Sequence, residues 1–271
     1  AEAALRAARE SQDHLAPFTD THPQLDEAWG YTVQELDRAH RLASGERVLG
    51  AKLGLTSKAK QTRMNVDQPV VGFLTDAMQV HPGRGALDHR RWARPRIEPE
   101  IAFITATDLA EPLDLDRAHA AVESVAVAAE VIDSRFADFR FRLPDVLADN
   151  TSAAGFVVGP PRHLDDPDAL VSLDCHLEVD DRIVQRVTGA AILGHPLRAL
   201  VRLSEHLARQ GAVLPAGSVV LAGALTDAVA GGVEGDEGDE NDVRDDVRGG
   251  GGRLGEAERP LLQRRPGIPC D

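Results

Sequence analysis

The chain has 271 residues, 42% of them hydrophobic, and a formal net charge of −14. That length and apolar fraction suit one mixed domain with a sizeable core, and the acidity excludes nonspecific nucleic-acid binding. Cys175 and Cys270 stand far apart and offer neither a disulfide framework nor a zinc site. With no apolar run of membrane length and no signal-peptide pattern, the expected setting is the cytoplasm.

Residues 1–46 predict an N-terminal helical segment. An alanine-rich helix runs to His14, residues 19–23 break it, and Asp26 caps a second helix over 27–43. The main domain is expected over 47–230. It opens with a strand at 47–55 that Lys52 interrupts; a lysine there is either an edge residue reaching solvent or a site residue. A short polar helix at 57–64, a loop, a strand at 70–74 and a turn at 82–85 follow. The strongest strand pattern covers 96–105, and an alanine- and valine-rich helix is expected over 114–129, running into 130–135. Beyond a polar cluster at 148–152 come a strand at 155–159, a hairpin pairing 173–179 with 182–188, a helix at 197–210 and a strand at 218–224. From Gly231 the pattern collapses into glycine, acid and arginine. Residues 231–248 hold eight acids against two arginines, so 231–271 read as an atypical, disordered tail.

Within 96–105, Glu98 and Glu100 share one strand face while Ile97, Ile101 and Phe103 take the other. Two anions that close repel unless a cation or a proton lies between them, although Glu-x-Glu alone also describes a solvated strand face. Glu130 adds a third hard oxygen ligand, a set suited to Mg2+ or Mn2+ and, without histidine or cysteine, poorly suited to zinc. Lys52 is a proton-transfer candidate if burial depresses its pKa. Asp133 and Arg135 read as an ion pair supporting the site. Asn150 and Ser152, beside Asp149, either bind a substrate carboxylate or stitch a turn. His195 before Pro196 reads as a turn or cap residue. No phosphate-binding glycine loop and no nucleophile elbow is present.

Six segments stand in one order: Gly50-Ala51-Lys52-Leu53-Gly54-Leu55-Thr56-Ser57, Val66-Asp67-Gln68-Pro69, Pro95-Arg96-Ile97-Glu98-Pro99-Glu100-Ile101, Glu130-Val131-Ile132-Asp133-Ser134-Arg135, Ala148-Asp149-Asn150-Thr151-Ser152 and Leu193-Gly194-His195-Pro196. Together they resemble the hydratase/decarboxylase branch of the fumarylacetoacetate hydrolase superfamily, over about residues 15–228. The resemblance implies an α+β fold, a mixed twisted β-roll with flanking helices. It implies Mg2+ or Mn2+ held by Glu98, Glu100 and Glu130, with no organic cofactor. Lys52 becomes the acid/base group, and Leu55, Asp67, Asn150 and Ser152 become substrate contacts.

The implied reaction is decarboxylation of 2-oxo-3-hexenedioate (4-oxalocrotonate) to 2-hydroxypenta-2,4-dienoate in aromatic meta-cleavage catabolism. The alternative is hydration of 2-hydroxypenta-2,4-dienoate; residues 130–141 and 72–78 look more like the decarboxylases. Two other readings are hydrolysis of a diketo acid, with His22 as the early water-activating candidate, and an inactive subunit supporting a partner hydratase. The implied partners are a small 2-oxo or 2-hydroxy dienoic acid, further copies of the chain in a homo-oligomer, and the pathway hydratase, with no nucleic acid and no membrane. The tail departs from the resemblance, because family members continue into strands that finish the roll. An altered reading frame or a divergent C-terminus would account for so abrupt a change.

Overall fold

The computed structural model describes residues 1–81, 88–179, 181–230 and 252–254. The expected turn at 82–85 and, apart from 252–254, the expected disordered tail lie outside these residues. Three helices open the chain, α1 (Glu2–Ser11), α2 (Phe18–Thr21) and α3 (Glu27–Ala43). As its sequence predicts, α3 starts where the Asp26 carboxylate accepts a hydrogen bond from Trp29 N at 2.9 Å. Arg9 of α1 and Arg41 of α3 both grip Asp37, at 2.8 and 3.0 Å, which ties the two helices together.

Strand β1 (Val48–Gly54) passes through α4 (Lys58–Met64) to β2 (Val70–Thr75). Then come β3 (Arg96–Thr105), α5 (Leu115–Ala120), β4 (Val122–Ile132), α6 (Leu143–Ala148) and β5 (Ala153–Val158). The chain continues through α7 (Ala169–Ser172), β6 (Asp174–Val179), β7 (Arg182–Thr188), α8 (Arg198–Gln210), β8 (Val219–Ala224), β9 (Val229–Ala230) and β10 (Gly252–Leu254). The main sheet has the order β2-β1-β8-β3-β4-β5, with β9 also on β3; β10, β6 and β7 form a second sheet. Only the β1–β8 pairing is parallel among the described strands. The second sheet includes three tail residues, Gly252–Leu254, paired with Leu177–Val179. Backbone pairing on a hairpin edge needs no side-chain alternation, so the sequence does not announce it.

Both faces of the main sheet are covered. Leu197, which precedes α8, and Leu200 and Leu203 of α8 pack with Leu53, Ile101, Phe103 and Val220 on one side. On the other, Ala102, Ala126, Ala128 and Leu221 pack with Phe73 and Phe156. No helix among the described residues is long and apolar enough to cross a membrane.

Two expectations are corrected here. The helix expected over 114–129 ends at Ala120, and β4 pairs with β3 from Arg96↔Ile132 to Thr105↔Val122. Alanines that suggest helix propensity instead suit a crowded sheet face, and tertiary pairing overrides the local preference. Pro99 has no N–H for a ladder, which suits an edge or a distortion, yet it lies on an interior strand between β8 and β4. The distortion is real: the β3–β8 register shifts between Glu100 and Ala102, and Leu225 N instead donates to Pro99 O at 2.9 Å.

Candidate metal centre

The corrected β4 explains how the three glutamates meet. Glu98 and Glu100 lie two apart on β3, and Glu130 of β4 stands directly opposite Glu98 in the ladder. Cross-strand partners share a face, and like charges facing each other there are destabilising on their own. One carboxylate oxygen from each residue falls within 4.8 Å of the others. Oxygens bound to one cation at roughly 2.0–2.6 Å can be no farther apart than that order of distance. Glu100 and Glu130 are sealed from solvent, and Glu98 lies at the rim.

Lys52 reaches this cluster from β1. Between β1 and β4 lie β8 and β3, about 14 Å of flat sheet at three strand spacings. Yet Lys52 Nζ lies 3.0 Å from Glu130 Oε2. The main sheet must curl into a half-barrel for that contact to form, with the glutamates on its inner face. Lys52 also donates to Thr151 O at 3.1 Å. Its pKa does not fall as the sequence reading supposed. Burial pulls it down, but Glu130, Glu98 and Glu100 together hold it above the ordinary lysine value.

The carboxylates show the opposite imbalance. Burial, then repulsion by Glu130, pushes Glu100 well above the usual carboxylate range. Its one hydrogen-bond donor among the described residues is Gly223 N, 2.8 Å from Oε2. Burial raises Glu130 to about 7 despite Lys52. Glu100 Oε1, Glu130 Oε1, Thr151 Oγ1 and Ser152 Oγ are buried without a hydrogen-bond partner, and Glu130 Oε2 meets the Lys52 ammonium; elsewhere among the described residues only His14 Nε2 and Gln185 Oε1 lack a partner. Buried polar atoms normally find partners. A concentration of bare oxygens around three carboxylates is the signature of a site that a cation and an oxygen-rich ligand complete.

The turn Asn150–Ser152 supplies the wall next to Lys52. All three residues are left-handed, with φ of 46, 53 and 60°, at a cost of about 1–2 kcal/mol each. The Asn150 amide holds the turn in place. Its Oδ1 accepts from Phe73 N at 2.9 Å, and its Nδ2 donates to Phe73 O at 3.0 Å. Asn150 therefore clamps β2 with the groups expected to meet substrate, whereas the Ser152 hydroxyl remains uncommitted. Gly72 of β2 is required there, because a Cβ would approach Thr151 Oγ1 to 2.5 Å.

The expected Asp133–Arg135 ion pair does not form. Asp133 accepts from Ala93 N and Arg94 N at 3.2 and 2.8 Å, while Arg135 forms a buried pair with Asp149 beneath the turn. Each is therefore held by a different partner. Leu55 leaves β1 in a left-handed conformation, φ 57°. Asp67 is exposed between α4 and β2, joined to the cluster by no hydrogen bond or ion pair. His195 holds the turn before α8, its Nδ1 accepting from Leu197 N at 3.2 Å.

The sequence reading missed Lys60 and left Arg96 unused. Lys60 Nζ lies 3.0 Å from Glu98 Oε1 and donates to Thr226 O at 3.4 Å. Nothing marks a lysine on a short polar helix until folding lays α4 over Glu98. Arg96 shares the face of Glu98 and Glu100, and its guanidinium lies 4.2 Å from the Phe139 ring centroid. Burial lowers its pKa, and Glu98 works against that shift. Had alternation been carried two residues back from Glu98, it would have found Arg96.

Fold and centre together define a class. The fumarylacetoacetate hydrolase C-terminal family model matches residues 47–259, and the chain belongs to that family of enzymes. It is 46% identical over 198 residues to a 4-oxalocrotonate decarboxylase of Pseudomonas sp., covering 73% of this chain and 76% of the relative. It is 40% identical over 230 residues to a 2-keto-4-pentenoate hydratase of Burkholderia vietnamiensis, covering 84% and 87%. The 4-oxalocrotonate decarboxylase from Pseudomonas putida G7, solved with magnesium and adipate, superposes with a TM-score of 0.80 at 35% identity, covering 84% of this chain and 87% of that one.

Proposed function

We propose that Glu98, Glu100 and Glu130 hold one divalent cation, Mg2+ or Mn2+, and that the chain decarboxylates 2-oxo-3-hexenedioate to 2-hydroxypenta-2,4-dienoate. The observation that carries the cation is the cluster of three carboxylates within 4.8 Å, two of them sealed and with bare oxygens. The substrate follows from the likeness to 4-oxalocrotonate decarboxylases, one of them solved with magnesium. A bound divalent cation supplies Lewis acidity toward the 2-oxo acid end of the substrate.

The side chains do the rest. Three carboxylates against two lysines leave the ionised cluster one charge negative, so a dication makes it attractive to an anionic acid. Lys60 neutralises Glu98 at the rim, and Lys52 neutralises Glu130 inside. When the C5–C6 bond breaks, CO2 leaves and its electron pair runs through the alkene to the 2-oxo oxygen. The resulting dienolate takes one proton on its 2-oxygen to become the dienol product, and Lys52 is the sealed cation of the site that can deliver it. Ser152 Oγ and Thr151 Oγ1 are the uncommitted hydroxyls available to substrate oxygens.

The purified chain should release CO2 from 2-oxo-3-hexenedioate with Mg2+ or Mn2+ and lose that activity on chelation. The hydratase reading has its own support in the 40% identity to a 2-keto-4-pentenoate hydratase. Metal-dependent hydration of 2-hydroxypenta-2,4-dienoate with no CO2 from the diacid would replace the decarboxylase by the hydratase. A homo-oligomer and association with the pathway hydratase belong to the same proposal.

A further inference from the structure

We infer that Arg96, stacked on Phe139, recognises the second carboxylate of the substrate and so selects a diacid. The inference rests on the diacid reading above and adds to it the residue that reads the far end.

The surrounding cations are already engaged. Lys60 is held by Glu98 and Thr226 O, Lys52 by Glu130 and Thr151 O, Arg94 by Asp138 at 2.5 Å, and Arg135 by Asp149. The Arg96 side chain has no hydrogen bond or ion pair among the described residues, although it is half-buried and stands on the face of the metal-ligand candidates. A partly buried guanidinium without an anion is expensive unless something anionic completes it. Glu98 does not serve, because Lys60 already holds it.

The stack leaves the right groups available. A guanidinium lying over a ring offers its N–H donors in its own plane, in the fork that suits a carboxylate. The platform is fixed as well. Asp138 and Phe139 are consecutive left-handed residues, φ 57 and 55°, a conformation that persists only when the surroundings enforce it.

Length agrees. Residues two apart on a strand stand roughly 6.6 Å apart, so Arg96 lies one such step beyond Glu98. The ends of a six-carbon diacid are joined by five bonds of about 1.5 Å each. Such a chain spans roughly 6 Å, enough to place one end at the glutamates and the other at Arg96. Because the second carboxylate loses its charge as CO2 departs, Arg96 would act in binding and raise KM more than it lowers kcat when removed.

The test compares adipate with hexanoate on the Mg2+-loaded protein by calorimetry, in wild type, Arg96→Ala and Arg96→Lys. Wild type should prefer adipate. Arg96→Ala should weaken adipate about tenfold or more while leaving hexanoate and Mg2+ binding unchanged, and Arg96→Lys should restore part of the preference. Full adipate preference in Arg96→Ala, or equal loss of both acids, overturns the assignment and leaves the decarboxylase standing. If wild type itself shows no preference, the diacid reading falls and Arg96 falls with it. Should Arg96→Ala not fold, Arg96→Lys and Phe139→Leu decide, and wild-type preference in both overturns the role.

Discussion

Glu100 is a buried carboxylate with one backbone N–H donor and another carboxylate beside it. In the metal-free chain that repulsion costs stability, so Glu100→Gln should raise the melting temperature by the equivalent of about 1 kcal/mol. The same change should abolish activity and the stabilisation that Mg2+ gives wild type; calorimetry with and without Mg2+ reads both effects. Lys52→Met acts oppositely. It leaves Glu130 buried without its ion partner, and urea titration should show a loss of about 3 kcal/mol. Lys52→Met with Glu130→Gln should recover much of it, because the pair is coupled. At this scale the sequence was legible. Glu98, Glu100, Glu130 and Lys52 all meet, because alternation puts the first two on one face and acids in apolar segments are conspicuous. Lys60 was not legible, since its role depends on where α4 lands.

The elements decide how those residues are presented. Strand boundaries for β1, β3, β7 and β8 follow closely from apolar alternation, as does α3 from its Asp26 cap. The long β4 did not, because alanine and valine are compatible with both periods until a partner strand is present. That error mattered chemically, since β4 places Glu130 opposite Glu98. The bulge in β8 is a second presentation device. Gly223 has φ 109°, and a Cβ there would collide with Thr56, so only glycine can bring its N–H to Glu100. Gly223→Ala should therefore destabilise the chain by about 2 kcal/mol or more and weaken Mg2+ binding, checked by denaturation and metal titration.

Across the molecule, the helices are fastened to one another as well as to the roll. The ring of His206 of α8 packs at a tilt against Tyr31 of α3, centroids 4.9 Å apart, and burial with Arg209 lowers its pKa to about 4. The unfolded chain binds this proton from about pH 6.5 downward while the folded chain resists until about 4. His206 thus costs nothing above pH 6.5 and lowers stability progressively between 6.5 and 4. Wild type should lose roughly 1–2 kcal/mol more than His206→Gln over that interval, once partial exposure is discounted. Melts of both chains across pH 4–7 measure the difference.

The sequence by itself determined which chemistry was available. It held three carboxylates and a lysine in apolar segments, glycine where backbones approach closely, and the order of motifs that marks the family. Those are local properties, set by side-chain type and by the period of two along a strand. The tertiary structure alone decided which groups meet and which are engaged elsewhere. It curled the sheet so that Lys52 crosses two strands to Glu130, gave Asn150 to β2, sent Asp133 and Arg135 to different partners, and left the Arg96 guanidinium without an ion pair among the described residues. Contacts between residues distant in the chain depend on register and curvature, and neither has a period that one sequence can display.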